Sequence, residues 1–212
     1  MAKGLYARFH AGLIGPAMAA LSDDAGLRAQ RRRLLSAARG DTLEIHGFGT
    51  ARNLGLYADA VTSLVLVQPQ NHVDDKLASL VTAFGNGVRV VDASGPSLPF
   101  AARTFDTVVT TLALCFADNL GAALDDIARV LRPGGQLLFL EHVRSPTPAL
   151  ARWQERLSPA WQAIAVGCHC NYDTLASIEA SPLRIEWHER GVLPRFPPLV
   201  RPLIVGAALA AS

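Results

Sequence analysis

The stretch Thr42–Tyr57, TLEIHGFGTARNLGLY, governs how the whole chain is read. A short apolar run, Leu43-Glu44-Ile45, breaks at Gly47-Phe48-Gly49-Thr50 and gives way to helix formers from Ala51. Strand, glycine turn and helix in that order open a nucleotide-binding βαβ unit. Glycines suit the turn because the backbone must reverse sharply and let a ligand come close. A helix that follows aims its free N–H groups at that ligand. A lone G-x-G also ends strands in proteins that bind nothing, so the weight falls on what lies downstream.

Downstream, Val61–Val67, Val88–Val91, Phe105–Leu114 and Gln136–Val143 are short, nearly continuous apolar runs. Helical spacing over Val73–Phe84 and Leu120–Leu131 separates them, and Arg132-Pro133-Gly134-Gly135 stops the second helix and turns the chain. Upstream, Asp24–Ala38 reads as a helix ended by Gly40. Strands apolar on both faces, alternating with helices, predict an α/β fold: a Rossmann-like, mostly parallel sheet with helices on both faces.

After Val143 the pattern changes. Ala149–Val166 is helical, with Trp153, Leu157, Trp161 and Ile164 recurring as a core stripe, and Pro159 divides it into two shorter helices. Asp173–Ala180 is a short helix, and Leu183–His188 and Arg201–Ala211 are strands that close the sheet. The helical insertion after strand five is where a substrate pocket is expected, because ligands sit beyond the strands' carboxyl ends. The expected organisation is one domain over 1–212. It has an N-terminal helical cap (1–40), a cofactor-binding half (41–145) and a substrate-pocket half (146–212).

Composition narrows the function classes. The chain has 212 residues, 50% of them hydrophobic and 18% charged, which suits a globular domain with a large core. A formal charge of +2 is too small to argue for nucleic acid, and Arg31-Arg32-Arg33 reads as a solvated helix face. Three cysteines make no disulfide scaffold and suit a reducing, cytoplasmic setting. No apolar run is long enough to span a bilayer. Ala11–Leu21 lacks the basic lead and cleavage site of a signal peptide. Leu5–Leu21 reads as a helix that packs on the domain or caps its pocket, which leaves room for a peripheral membrane contact.

Three further stretches carry a family resemblance. They are Phe105-Asp106-Thr107-Val108-Val109 through Leu114-Cys115, then Ile127-Ala128-Arg129-Val130-Leu131-Arg132-Pro133-Gly134-Gly135, then Leu138-Phe139-Leu140-Glu141-His142-Val143. With them the chain resembles the class I methyltransferases that use S-adenosylmethionine. Glu141-His142-Val143, Trp153-Gln154, Pro159-Ala160-Trp161, Gly167-Cys168 and Leu199-Val200-Arg201-Pro202 narrow the resemblance to the small alkyl-thiol methyltransferase-like family, relatives of the ubiquinone/menaquinone biosynthesis methyltransferases.

The resemblance implies methyl transfer from S-adenosylmethionine to a small lipophilic acceptor, a thiol first, with S-adenosylhomocysteine as product. It implies that Glu44, Gly47, Gly49, Thr50, Asn53, Gln68, Asp92, Ser94, Thr111 and Leu112 hold the cofactor. His142, at the end of strand five, is either the general base or orienting group for the acceptor, or a histidine that only ties down a loop. Glu141 is its structural partner. Cys168-His169-Cys170 lines the acceptor pocket. A structural zinc there would need four ligands with a second spaced pair, so no metal is expected. Cys115 reads as a buried core residue near the cofactor.

Three positions depart from the family's Glu-x-Gly-x-Gly-x-Gly turn and its ribose-binding acid. Ala51 replaces the third glycine, His46 sets Glu44 one position early, and Gln68 stands where the acid would be. His46 is either a bulge residue or a group pointing into the site. A neutral amide at Gln68 gives up about 1–2 kcal/mol relative to a carboxylate. These departures motivate an alternative: a methyltransferase-fold protein with weakened cofactor binding that serves as a binding module or runs another reaction.

Overall fold

The computed structural model describes residues 24–46, 52–68, 87–92, 97–165 and 167–211; the side chains of His46, Gln68 and Asp92 lie outside that description. So do the expected helices Leu5–Leu21 and Val73–Phe84, and Gly47, Gly49, Thr50, Ala51 and Ser94.

Asp24 opens helix α1 (Ala25–Leu35) by accepting from the backbone N–H groups of Gly26 (2.9 Å) and Leu27 (3.2 Å). Strands β1 (Gly40–His46), β2 (Val61–Gln68), β3 (Val88–Asp92) and β4 (Phe105–Thr111) follow. Next come helix α2 (Leu120–Val130), strand β5 (Leu131–His142), helices α3 (Pro148–Ile164) and α4 (Thr174–Glu179), and strands β6 (Leu183–Val192) and β7 (Pro202–Ala210).

The sheet runs β3-β2-β1-β4-β5-β7-β6, with β1 to β5 parallel and β7 antiparallel to both its neighbours. The expected fold class is therefore the observed one. Alternate residues of the central strands feed separate cores. Val108, Leu137 and Phe139 pack with α2 and α4, while Val109, Leu138 and Leu140 pack with α1 and the segment 193–200. At Gly206, which faces Phe139 in the β5–β7 ladder, an added Cβ would lie 2.4 Å from the Trp187 carbonyl oxygen, so only glycine fits this close approach.

Four expectations need correction. First, the crossover helix expected from Ala51 is not formed over 52–60. That stretch holds one 3₁₀ turn, Leu54–Leu56, because the link from His46 to Val61 is short and Gly55 sits in its middle. Second, β4 ends at Thr111, not Leu114. Leu112 takes φ 53°, and a 3₁₀ turn, Leu114–Phe116, follows.

Third, Pro159 does not divide α3, which runs unbroken from Pro148 to Ile164. Fourth, the stripe expected to be core is largely outside: Trp153 is 55% exposed, Leu157 39% and Ile164 54%. The buried stripe is instead Ala151, Gln154 and Ser158, one position round the helix. Gln154 explains the change of face. Fully buried, it accepts from Ser145 N–H (2.7 Å) and donates to the carbonyls of Val143 (3.1 Å) and Leu199 (2.8 Å). These bonds fix the rotation of the helix about its own axis.

The Arg132–Gly135 turn behaves as a bulge. Pairing begins at Phe105↔Leu131 and resumes at Thr107↔Gln136, so the four residues loop out of the ladder. Arg132 from this loop pairs with Asp106 and, at 2.9 Å, with Asp41, clamping the amino ends of β1, β4 and β5 together. This segment, among the most family-specific in the sequence, thus has a structural part at the edge of the sheet opposite the site.

Candidate active site

The strand order reverses between β1 and β4, which places a crevice beyond their carboxyl ends. Glu44 of β1 and Thr111 of β4 stand there, bridged by Asn53. Its Nδ2 donates to Glu44 Oε1 at 2.7 Å and to Thr111 Oγ1 at 3.0 Å. The carboxylate only accepts, so Nδ2 must face it and Oδ1 must point elsewhere. The Tyr57 hydroxyl donates to Glu44 Oε2 at 2.6 Å. Burial first, then the Glu44 charge, push the Tyr57 phenol well above its ordinary pKa.

Glu44 is fully buried with both oxygens engaged, so it acts on a ligand through Asn53. Asn53 Oδ1 is buried and makes no hydrogen bond among the described residues. An unspent acceptor at a topological switch point fits a cofactor that carries an ammonium group and hydroxyls. Leu112 N–H bonds to Leu140 O (2.8 Å), which holds its left-handed turn at the mouth of the crevice. The backbones of Gln68 and Asp92 face each other at the ends of β2 and β3.

A second corner forms beyond β4 and β5. His142 ends β5, and its Nε2 lies 3.2 Å from Cys168 Sγ. Trp161 Nε1 donates to the same sulfur at 3.3 Å. Cys115 completes the group: its Sγ, a ring nitrogen of His142 and Cys168 Sγ all lie within 4.8 Å of one another, and all three residues are buried. Two bonds hold the arrangement. Glu141, fully buried, accepts from Ala113 N–H (3.0 Å) and Leu114 N–H (3.3 Å), capping the 3₁₀ turn that presents Cys115. His169 N–H donates to the Cys115 carbonyl (2.8 Å), fastening the Cys168 segment beside it.

The electrostatics divide the roles. The Cys115 hydrogen bond, working with His142 and Trp161 against burial, holds the Cys168 thiol well below its usual range. Burial, then Cys168, push the Cys115 thiol up. Burial disfavours the His142 cation, yet Cys168 and Glu141 outweigh it and the pKa rises. Burial lifts Glu141 to about 7. His142 Nδ1 is buried and makes no hydrogen bond among the described residues.

Cys168-His169-Cys170 does not act as one lining motif. Only Cys168 enters this corner. His169 stacks on Tyr172 with ring centroids 4.3 Å apart, and Cys170 is sealed against the Gln154 carbonyl (3.7 Å). Cys115 is buried as expected but belongs to this corner, a role with no local signal because Cys168 is remote from it in sequence.

Known proteins share both sequence and fold with this chain. A family model described as "Methyltransferase domain" matches residues 43–139. The human thiol S-methyltransferase TMT1B is 31% identical over 199 residues, covering 86% of this chain and 79% of that protein. The rat thiol S-methyltransferase TMT1B is 38% identical over 104 residues, covering 47% of this chain and 43% of that protein. Among solved structures, the N-methyltransferase NodS from Bradyrhizobium japonicum, in complex with S-adenosyl-L-homocysteine, superposes with a TM-score of 0.62 at 18% identity. That superposition covers 91% of each chain. Among the described residues, no helix is long and apolar enough to cross a membrane.

Proposed function

The chain belongs to the class I S-adenosylmethionine-dependent methyltransferases, and from that premise we propose that it methylates the sulfur of a small lipophilic thiol. The observation that carries the sulfur reading is His142, a buried imidazole at the carboxyl end of β5 with an unspent Nδ1. It stands beside a depressed thiol in the corner next to the cofactor crevice. A thiol is a nucleophile only as its thiolate, so its methylation needs a group that takes or stabilises away its proton. The thiol S-methyltransferases among the relatives point the same way.

In this reading Asn53 Oδ1 and the backbone at Thr111 and Leu112 hold the cofactor, with Gly47, Gly49, Thr50, Gln68, Asp92 and Ser94 assigned from the family resemblance. Bound S-adenosylmethionine supplies an electrophilic methyl on a sulfonium. The chain's own contribution is proximity and orientation. Glu44 and Tyr57 fix Asn53, Glu141 fixes the Cys115 turn, and His142 serves the acceptor sulfur.

The test is calorimetric titration with S-adenosylmethionine and S-adenosylhomocysteine, followed by a panel of alkyl thiols, amines and phenols with mass detection of product. Micromolar binding of both and a thioether product are expected. Methylated amines or phenols in place of thioethers would overturn the sulfur acceptor. Absence of binding up to millimolar ligand would favour the alternative of a methyltransferase fold that no longer transfers methyl, with Ala51 and Gln68 as the cause.

A further inference from the structure

We propose that Cys115, His142 and Cys168 hold a zinc ion whose fourth position binds the acceptor thiol. The inference rests on the sulfur-acceptor reading above and says how that sulfur becomes a thiolate.

The donor set is the first argument. Two thiols and an imidazole nitrogen are the preferred ligands of zinc, and three protein ligands with one open position mark its catalytic sites, including sites of two cysteines and one histidine. Geometry is the second. In tetrahedral zinc, bonds of about 2.3 Å to sulfur and 2.0–2.1 Å to nitrogen put neighbouring sulfur and nitrogen atoms about 3.6 Å apart. His142 Nε2 and Cys168 Sγ stand at 3.2 Å, and the three ligand atoms lie within 4.8 Å of one another. A shift of a few tenths of an ångström at the former pair opens the site to the ion.

The surroundings are the third argument. The ligands come from three separate segments that brace one another. Glu141 caps the turn that carries Cys115, His142 lies in the β5–β7 ladder opposite Leu203, and Cys168 takes a hydrogen bond from Trp161. An N–H donor to a thiolate sulfur orients that ligand and tunes a metal site. His169 and Cys170 flank a ligand but are turned to other partners, so the site is not the Cys-His-Cys motif that the sequence displays.

The chemistry fits the place. When a thiol displaces water from the open position, its proton leaves to solvent and its sulfur stays on the metal as a thiolate. His142 then serves the acceptor as a ligand to zinc rather than as a base. A thioether carries no charge to hold it on zinc, so the methylated product leaves.

The test uses the full chain expressed with zinc in the medium and dialysed, with metal content read by elemental mass spectrometry. About one zinc ion per chain is expected, falling more than tenfold in Cys115→Ser and in Cys168→Ser and unchanged in Cys170→Ser. S-adenosylhomocysteine binding and thermal unfolding report that each variant is folded. Should a serine variant fail to fold, the wild-type chain loaded with cobalt(II) decides the matter. Thiolate-to-cobalt absorption bands are expected, and they should shift when a small alkyl thiol is added. Zinc retained equally by Cys115→Ser and Cys168→Ser, copper in its place, or a metal-free Cys115–Cys168 disulfide would each overturn the proposal. Thioether formation by zinc-free protein sinks the metal and leaves the sulfur acceptor standing. A zinc-loaded chain that methylates only amines or phenols retains the metal and sinks the acceptor.

Discussion

The two corners at the carboxyl edge of the sheet solve opposite problems. At the β1 corner, a buried carboxylate is satisfied from nearby: Asn53 and Tyr57 spend donors on Glu44, and Asn53 Oδ1 makes no hydrogen bond among the described residues. At the β5 corner, two thiols and an imidazole are gathered in one place, and among the described residues His142 Nδ1 is left without a hydrogen bond. Buried polar groups that satisfy one another build structure, and those that do not are available to a ligand. Substitutions at the first corner should therefore read out mainly in stability, and those at the second mainly in turnover.

The largest effect is expected at His142. His142→Ala should lower kcat/KM for an alkyl thiol by about 100-fold or more, the scale of losing a positioned acid–base or ligand group. Its S-adenosylhomocysteine affinity should stay within about threefold of wild type, since a 1.4 kcal/mol change would be needed for tenfold. Parallel loss of both would mean that the corner is a structural element and would erase the contrast.

Glu44→Ala is the complementary experiment. It strips a charged acceptor from two buried donors, at a cost of about 3 kcal/mol in stability. Denaturant unfolding should show the loss as a lower midpoint with an unchanged slope. A near-neutral result would mean that Asn53 and Tyr57 find other acceptors, and that the first corner is looser than its short hydrogen bonds suggest.

Why the sequence discloses the first corner and conceals the second is a matter of range. β4 and β5 are runs of apolar residues of the kind a strand covered on both faces shows, and their order with the glycine turn marks the crevice in the sequence itself. Asn53 and Tyr57 lie within one short loop of Glu44, so local spacing brings them together. The second corner joins residues from three distant segments. Its one local signal, Cys168-His169-Cys170, misdirects, because an irregular turn sends the three side chains to three environments. Helix α3 conceals itself for a related reason. Periodicity shows that a helix has an apolar stripe but not which stripe faces inward, and here the bonds of Gln154 outweigh the burial of Trp153.

Asn53 tests whether the first corner touches the cofactor at all. Asn53→Ala removes the unspent acceptor and should weaken S-adenosylhomocysteine about tenfold or somewhat more, the value of a hydrogen bond with a charged partner. Because the same change strips a donor from Glu44, the affinity must be compared with that of Tyr57→Phe. That variant also loosens Glu44 but leaves Oδ1 in place. Weakening in both would assign the effect to Glu44, whereas weakening in Asn53→Ala alone assigns it to the ligand contact.

The smallest effect is expected at the end of β2. The family resemblance implies an acid here that accepts two ribose hydroxyls with charge assistance, and Gln68, a neutral acceptor, takes that place in the proposed function. Gln68→Glu should tighten S-adenosylmethionine by about tenfold or less, read by calorimetry at constant ionic strength, with little change in kcat at saturating cofactor, because ribose contacts are made equally in ground and transition states. The sign matters more than the size. Tighter binding makes Gln68 a weakened version of the family's contact, so the crevice binds the cofactor through a depleted set of charges. Weaker binding makes the amide an adaptation: in that case the β1 corner is tuned to a neutral rim, and restoring the carboxylate buries a charge with nothing to balance it.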